Sequence, residues 1–389
     1  MEMQAAVAES KLVTYDDLVH VGPGTLAGRY MRTFWQPVHR AKDLEAGRAV
    51  PITILGEQLT LYRGTSGESH LVAFRCAHRG TQLSVGWVED DCIRCRYHGW
   101  KYDASGQCVE QPGEDAAFAE RVKIRSYPTR EYGGLIFAYL GEGEPPPFRH
   151  YPDFDKPGVV IVDPPEVLPC SFWNRFDNDA FHLAWAHRDT ALRSNRLGYL
   201  IPVTETFEET EYGLLTQTYK EERDPDLHRM YMPNIRNWRS ATRARVYQGQ
   251  ELFETKFTWA VPIDDTHYVG FDVTITPLTG GAAEAYAKER EGEQEPQADL
   301  RWDIANDILA GKMTHKQIPD EISYYNLNAI DDYVTQVGQG AIANRTDEHL
   351  GRIDARVIFY RQLWLRELQA LAEGRPLKQW RVPEKAIYD

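Results

Sequence analysis

Cys76-Ala77-His78-Arg79-Gly80, followed by Cys95-Arg96-Tyr97-His98-Gly99-Trp100, decides how this chain is read. Two Cys and two His in two short pairs read as a metal site before anything else. Each pair offers one thiolate and one imidazole. Zinc accepts that donor set. So does a [2Fe–2S] centre in which two His replace two Cys on one iron, which raises its potential above that of an all-thiolate cluster. The spacer and the Arg-Gly and Gly-Trp neighbours favour the cluster.

The flanks of these pairs carry a β pattern. Pro51–Tyr62 (PITILGEQLTLY) alternates around Gly56-Glu57, as a hairpin does. His70–Phe74 predicts a strand delivering the first pair, and Tyr97–Tyr102 and Gly134–Leu140 continue the pattern. Both pairs would then sit at the tips of hairpin-like loops and clamp a cluster from two sides. The Gly/Pro-rich stretch GEGEPPPF at 141–148 reads as a linker. It divides the chain into residues 30–145, an all-β unit, and residues 150–389.

The second part mixes classes. Val203–Phe207, Gly213–Tyr219, Ala244–Tyr247, Glu251–Val261 and His267–Thr276 have strand character, while Ala282–Arg290 and Ala298–Leu309 read as helices. Val357–Ala372 is an amphipathic helix stopped by Gly374 and Pro376. An antiparallel sheet with a long C-terminal helix makes this an α+β domain. The acidic run at 289–299 reads as a solvated, mobile loop.

Asn178-Asp179-Ala180-Phe181-His182-Leu183-Ala184-Trp185-Ala186-His187 holds a second chemistry. Non-haem Fe(II) oxygenases use two His and one carboxylate on one face of the metal, leaving positions open for O2. His182 and His187 are five positions apart, about 140° around a regular helix. A π-type widening or a helix end is needed to bring them together. Asp179 and His182, three apart, share a face.

Composition narrows the class. The 389 residues allow about two domains. A net charge of −14 speaks against nucleic acid or an anionic membrane as a partner. Five cysteines cannot all pair, which suits a reducing compartment. The N-terminus lacks a basic, then apolar, signal pattern, and no run reaches the ~18 apolar residues of a membrane span. A soluble, cytoplasmic protein is expected.

Together the two motifs resemble the oxygenase component (α subunit) of Rieske non-haem iron ring-hydroxylating oxygenases, in the phthalate-dioxygenase-like branch, over essentially the whole chain. The resemblance implies a Rieske [2Fe–2S] domain followed by a helix-grip (START-like) catalytic domain. It implies that Cys76, His78, Cys95 and His98 bind the cluster and that His182 and His187 bind a mononuclear Fe(II). The third ligand should be a carboxylate in Asn328-Ala329-Ile330-Asp331-Asp332-Tyr333, ahead of Gly338–Gly351. The family spacing favours Asp332 over Asp331, although Ile330-Asp331 replaces the usual polar residue before the ligand and Asn344 stands where Asp is usual. Asp179 is expected to bond a catalytic His and a Rieske His of the neighbouring subunit, since metal-bound His commonly donates its second N–H to a carboxylate.

The implied activity is hydroxylation of an aromatic, carboxylated substrate with O2 and electrons from an NAD(P)H-dependent reductase or a ferredoxin, or oxidative O- or N-demethylation at the same centres. A homotrimer or stacked hexamer is implied. A rival reading is a Rieske electron carrier with a non-catalytic ligand-binding domain. Trp173, Phe181 and Trp185 are compatible with an aromatic pocket and equally with a core. The remaining His residues, His315 and His228 among them, have no ligand-like spacing and read as surface or packing.

Overall fold

Strands Ala49–Ile54 and Glu57–Arg63 pair antiparallel through Leu55 and Gly56. Both turn residues have positive φ, 50° and 73°, as a two-residue hairpin turn of matching twist requires. The turn therefore lies one residue earlier than the sequence suggests. Leu55 holds this conformation with its side chain buried and the turn docked by its backbone. Leu55 and Gly56 N–H donate to the carbonyls of Pro262 and Ile263, at 2.8 and 2.7 Å, in the second half of the chain.

The computed structural model describes residues 12–178, 181–200, 203–220, 224–239, 245–294 and 298–389. The N-terminal part holds three antiparallel sheets, two of which carry the ligand loops. One runs Ala49–Ile54, Glu57–Arg63, Ser69–Ala73, Ser126–Tyr127; a second Trp35–Arg40, Leu135–Tyr139, Thr129–Tyr132; a third Trp87–Glu89, Cys92–Arg94, Lys101–Tyr102, Cys108–Glu110. The expected strand at Tyr97–Tyr102 shrinks to Lys101–Tyr102. The backbone before it bends into the turn that carries His98.

The second part is built on one eight-stranded antiparallel sheet. Its order is Val159–Val162, Tyr268–Thr276, Thr255–Pro262, Ile235–Arg239, Asp226–Tyr231, Gly213–Tyr219, Thr204–Glu209, with Glu166–Leu168 also on Tyr268–Thr276. The expected strand Glu251–Val261 is split. Gln250–Leu252 pairs with Arg245–Tyr247 as a separate hairpin, and Thr255–Pro262 joins the main sheet. Helix Ala355–Ala372 buries Tyr360, Leu363, Trp364 and Leu368. Tyr360 Oη and Trp364 Nε1 both donate to the carbonyl of Pro233, at 2.8 and 3.1 Å. An α+β fold with a long C-terminal helix results.

The acidic run is not a loop along its length. Helix Gly280–Gln294 takes in residues 289–294 of it and helix Ala298–Leu309 begins at its end, residues 295–297 lying outside those described. Arg290 explains this in part: it is buried and lies 3.6 Å from Asp163, anchoring that turn. One apolar core also runs through both parts, joining Leu59, Leu61 and Leu135–Ala138 to Phe257, Trp259 and Trp364. A smaller core, with Tyr62, Ile93, Trp100 and Tyr102, surrounds Cys76 and Cys95. Among the described residues no helix is long and apolar enough to cross a membrane.

Candidate metal centres

The two Cys/His pairs fold into matching turns. Gly80 N–H donates to the Cys76 carbonyl at 2.9 Å, and Gly99 N–H to the Cys95 carbonyl at 3.0 Å. Both glycines sit at positive φ, 75° and 76°, where a side chain would be strained. Each turn points its thiol inward: Cys76 and Cys95 are buried and free of disulfides. Each points its imidazole outward, and the His78 and His98 ring centroids are 4.5 Å apart. Trp100 stacks on His78, also at 4.5 Å. Tyr102 Oη lies 3.2 Å from Cys76 Sγ while accepting from Ala77 N–H at 3.1 Å. Two buried thiols behind two surface imidazoles fit the donor set of a mixed-ligand [2Fe–2S] cluster.

At the second centre the helix itself breaks. His182 opens the four-residue helix His182–Trp185, and His187 caps the next helix, Arg188–Arg193, with φ −93° and ψ 17°. Of the two solutions the sequence left open, a helix end is the one used. The two rings come within 5.2 Å, centroid to centroid. Asp332 reaches them from helix Tyr324–Val337. One potential donor atom from each of His182, His187 and Asp332 lies within 4.8 Å of the others. Two imidazoles and one carboxylate converging in this way fit a facial metal site.

The carboxylate is prepared for such a role. Arg175 Nη1 donates to one oxygen at 3.2 Å, and Asn178 Nδ2 and Gln336 Nε2 donate to the other, each at 3.3 Å. Burial alone would raise the Asp332 carboxyl, but Arg175, His182 and His187 outweigh it and hold it at about 2. Asp331 faces the other way. One oxygen is 3.1 Å from His187 Nδ1 and the other 2.6 Å from His315 Nε2. Sequence spacing gave His315 no task. Arg175, Asn178 and Gln336 were also missed, because ordinary polar residues carry no motif. Asp179 lies outside the described residues.

A cavity of about 600 Å³ opens against Asp332, between helix Tyr324–Val337 and strands Thr255–Pro262 and Tyr268–Thr276. A smaller chamber of about 180 Å³ holds His182 and His187 and shares Arg175, Trp238, Thr258, Asn328 and Asp332 with the larger one. Trp238 stands between its cross-strand neighbours His228 and Lys256, stacking on the first at 6.1 Å and receiving the Lys256 ammonium at 5.4 Å. His228, read from sequence as surface or packing, therefore lines the metal chamber. Trp173 is a core residue whose Nε1 donates to the Leu18 carbonyl, and Trp185 is 74% exposed. Neither of these two lines the cavity.

Comparison with known proteins agrees with this geometry. The Rieske [2Fe-2S] domain family matches residues 34–128. The chain is 31% identical over 381 residues to the 5,5'-dehydrodivanillate O-demethylase oxygenase subunit of Sphingobium sp. (strain NBRC 103272 / SYK-6), covering 93% of this chain and 81% of that one. It is 27% identical to the phthalate 4,5-dioxygenase oxygenase subunit of Pseudomonas putida, covering 89% and 83%. Among solved structures, NdmA of Pseudomonas putida CBB5 has the same fold, with a TM-score of 0.63 at 20% identity over 89% of this chain and 93% of that one. The chain belongs to the oxygenase components of the Rieske non-haem iron oxygenases. It is an oxidoreductase of the mono- or dioxygenase type, and its cofactors are a Rieske [2Fe–2S] cluster and a mononuclear iron.

Proposed function

We propose that Cys76, His78, Cys95 and His98 hold the cluster, that His182, His187 and Asp332 hold the iron, and that the chain oxygenates an aromatic, carboxylated substrate in the adjoining cavity. The convergence of His182, His187 and Asp332 beside a cavity of about 600 Å³ carries this reading. When bound, the cluster supplies single electrons from a reductase or ferredoxin, and the iron activates O2. The chain's own part is placement. Arg175 keeps Asp332 ionised, Asn178 and Gln336 help aim it, and Trp238 and Asn328 line both the cavity and the metal chamber. Arg301, paired with Glu166, supplies a cation on the cavity wall. Hydroxylation is the main reading and O- or N-demethylation the alternative, as the two named relatives include a dioxygenase and an O-demethylase.

The division at 145–150 separates the electron-accepting part from the oxygenating part, and a cytoplasmic location suits the free thiols. Assembly into a trimeric ring is part of the same proposal, with Asp179 bridging a Rieske His of one chain and a catalytic His of the next. Two surfaces support it. Beside the imidazoles, Arg79 lies over Tyr97 and Arg96 over Trp87. Beside His182 a surface groove combines Trp185 and Leu350 with Glu348 and Asp354. Basic-aromatic and acidic-apolar faces are complementary.

The test is a screen of aromatic carboxylic acids, with and without methoxy groups, using a partner reductase. Product mass and O2 uptake report hydroxylation, and formaldehyde reports demethylation. Iron near three per chain separates an oxygenase from a two-iron electron carrier. Failure of every aromatic acid, with aliphatic substrates turned over instead, overturns the substrate class.

A further inference from the structure

We propose that His315 is a positioning residue for the mononuclear iron: through Asp331 it fixes the orientation of the His187 ring. The inference rests on the ligand set proposed above. Asp331 is buried: Oδ2 faces His187 Nδ1 at 3.1 Å and Oδ1 faces His315 Nε2 at 2.6 Å, with the Thr190 hydroxyl as a further neighbour. A carboxylate held at only one oxygen can swing about its terminal bond; held at both, it cannot. A fixed Oδ2 in turn accepts the Nδ1 proton of His187, leaving the Nε2 lone pair on the side of Asp332, 3.8 Å away.

His315 also ties the two ligand-bearing segments together. Its Nδ1 lies 3.8 Å from Asp189, in the helix that follows His187, while its Nε2 holds Asp331, next to Asp332. The turn that presents it is itself fixed: Thr314 N–H and Oγ1 donate to Gln317 Oε1 at 2.8 and 2.9 Å. Arg193 adds a tie between the helix after His187 and the turn that carries His315, donating to the Ile318 carbonyl at 3.0 Å and to Asp320 at 2.9 Å. The series from Asp189 to His187 ends on the Nδ1 of a ligand ring, so it cannot pass a proton on to the reaction. Its service is orientation. Asp331 is the group that bonds the ligand ring, and loss of such a partner typically changes metal affinity ~10–100-fold; His315 acts through it.

The test uses the full-length oxygenase with its cluster intact. His315→Leu should speed loss of the mononuclear iron to a ferrous chelator by up to about 10-fold, less than loss of Asp331 itself would. It should also shift the near-infrared circular dichroism of the ferrous site, leaving the visible spectrum of the cluster unchanged. Where turnover persists, kcat should fall and KM should hold. His315→Gln, whose amide can still donate to Asp331, should recover most of the iron retention. An unchanged chelation rate and dichroism in His315→Leu overturn the proposal. So does faster loss that His315→Gln fails to reduce, which marks a merely structural side chain. Should His315→Leu not fold, His315→Gln beside His315→Asn decides in the same way, since asparagine is too short to reach Asp331. Asp332→Ala is the separate control: if that variant keeps its mononuclear iron, the ligand set fails and not the role of His315.

Discussion

Asp331 Oδ2 lies 3.1 Å from Nδ1 of His187, while the other nitrogen of the same ring faces Asp332, the next residue in the chain, at 3.8 Å. Adjacent helical residues point about 100° apart, so one imidazole sits between two neighbouring carboxylates that serve it differently. Asp332→Ala should remove the mononuclear iron, lowering the count from about three to about two per chain. Asp331→Ala should keep the ligands yet weaken iron binding by about 10–100-fold. Iron analysis after dialysis against graded chelator checks both, and the reverse ranking would place the ligand one residue earlier.

Tyr102 is placed to tune a cluster held by Cys76. Because its oxygen already accepts from Ala77 N–H, its hydroxyl proton is available to Cys76 Sγ. Hydrogen bonds to the sulfurs help set the potential of such clusters, by stabilising the more negative reduced state. Tyr102→Phe should lower the reduction potential and slow electron delivery, with all iron retained. A redox titration followed by visible absorbance reads this directly, and an unaltered midpoint would remove Tyr102 from the account.

Glu209 links the edge of the large sheet to the C-terminal helix. It accepts from Arg366 at 2.7 and 3.0 Å and from Lys378 at 2.7 Å. Arg366, then Lys378, hold its carboxyl down at about 2. A carboxyl depressed on folding stabilises above its unfolded value, about 4.3, and that contribution disappears as pH falls toward the folded value. Wild type should therefore melt higher than Glu209→Gln at neutral pH, with the gap closing below about pH 4. The effect is modest, because the partners are partly exposed. A gap independent of pH would assign the difference to packing.

Assembly is tested by mixing chains. Chains without Cys76 and Cys95 should accept no electrons, and chains without His182 should be unable to use them. A head-to-tail contact must close into a ring, so mixed rings should recover activity if electrons cross between subunits. Asp179→Asn should keep both metals while slowing that transfer. A mixture that stays inactive after confirmed subunit exchange rules the crossing out.

The two Cys/His pairs were legible because each is local: it lies within one tight turn closed by its own glycine, so short-range sequence sets which side chains the turn presents. His182 and His187 were legible as a pair, but their convergence depends on a helix break at Ala186, which packing decides. The same holds for the acidic run, where polarity suggested a loop and the buried anchor at Arg290 helped keep a helix. Which of Asp331 and Asp332 faces His182 depends on the rotational setting of helix Tyr324–Val337 against the His182 segment. His315 had no sequence signal because its partners come together only when three separate segments pack. What the sequence by itself determined was the chemistry written within a turn or along a strand. What only the tertiary structure decided was which side chains from distant segments face one another, since that depends on how helices and sheet bury their shared core.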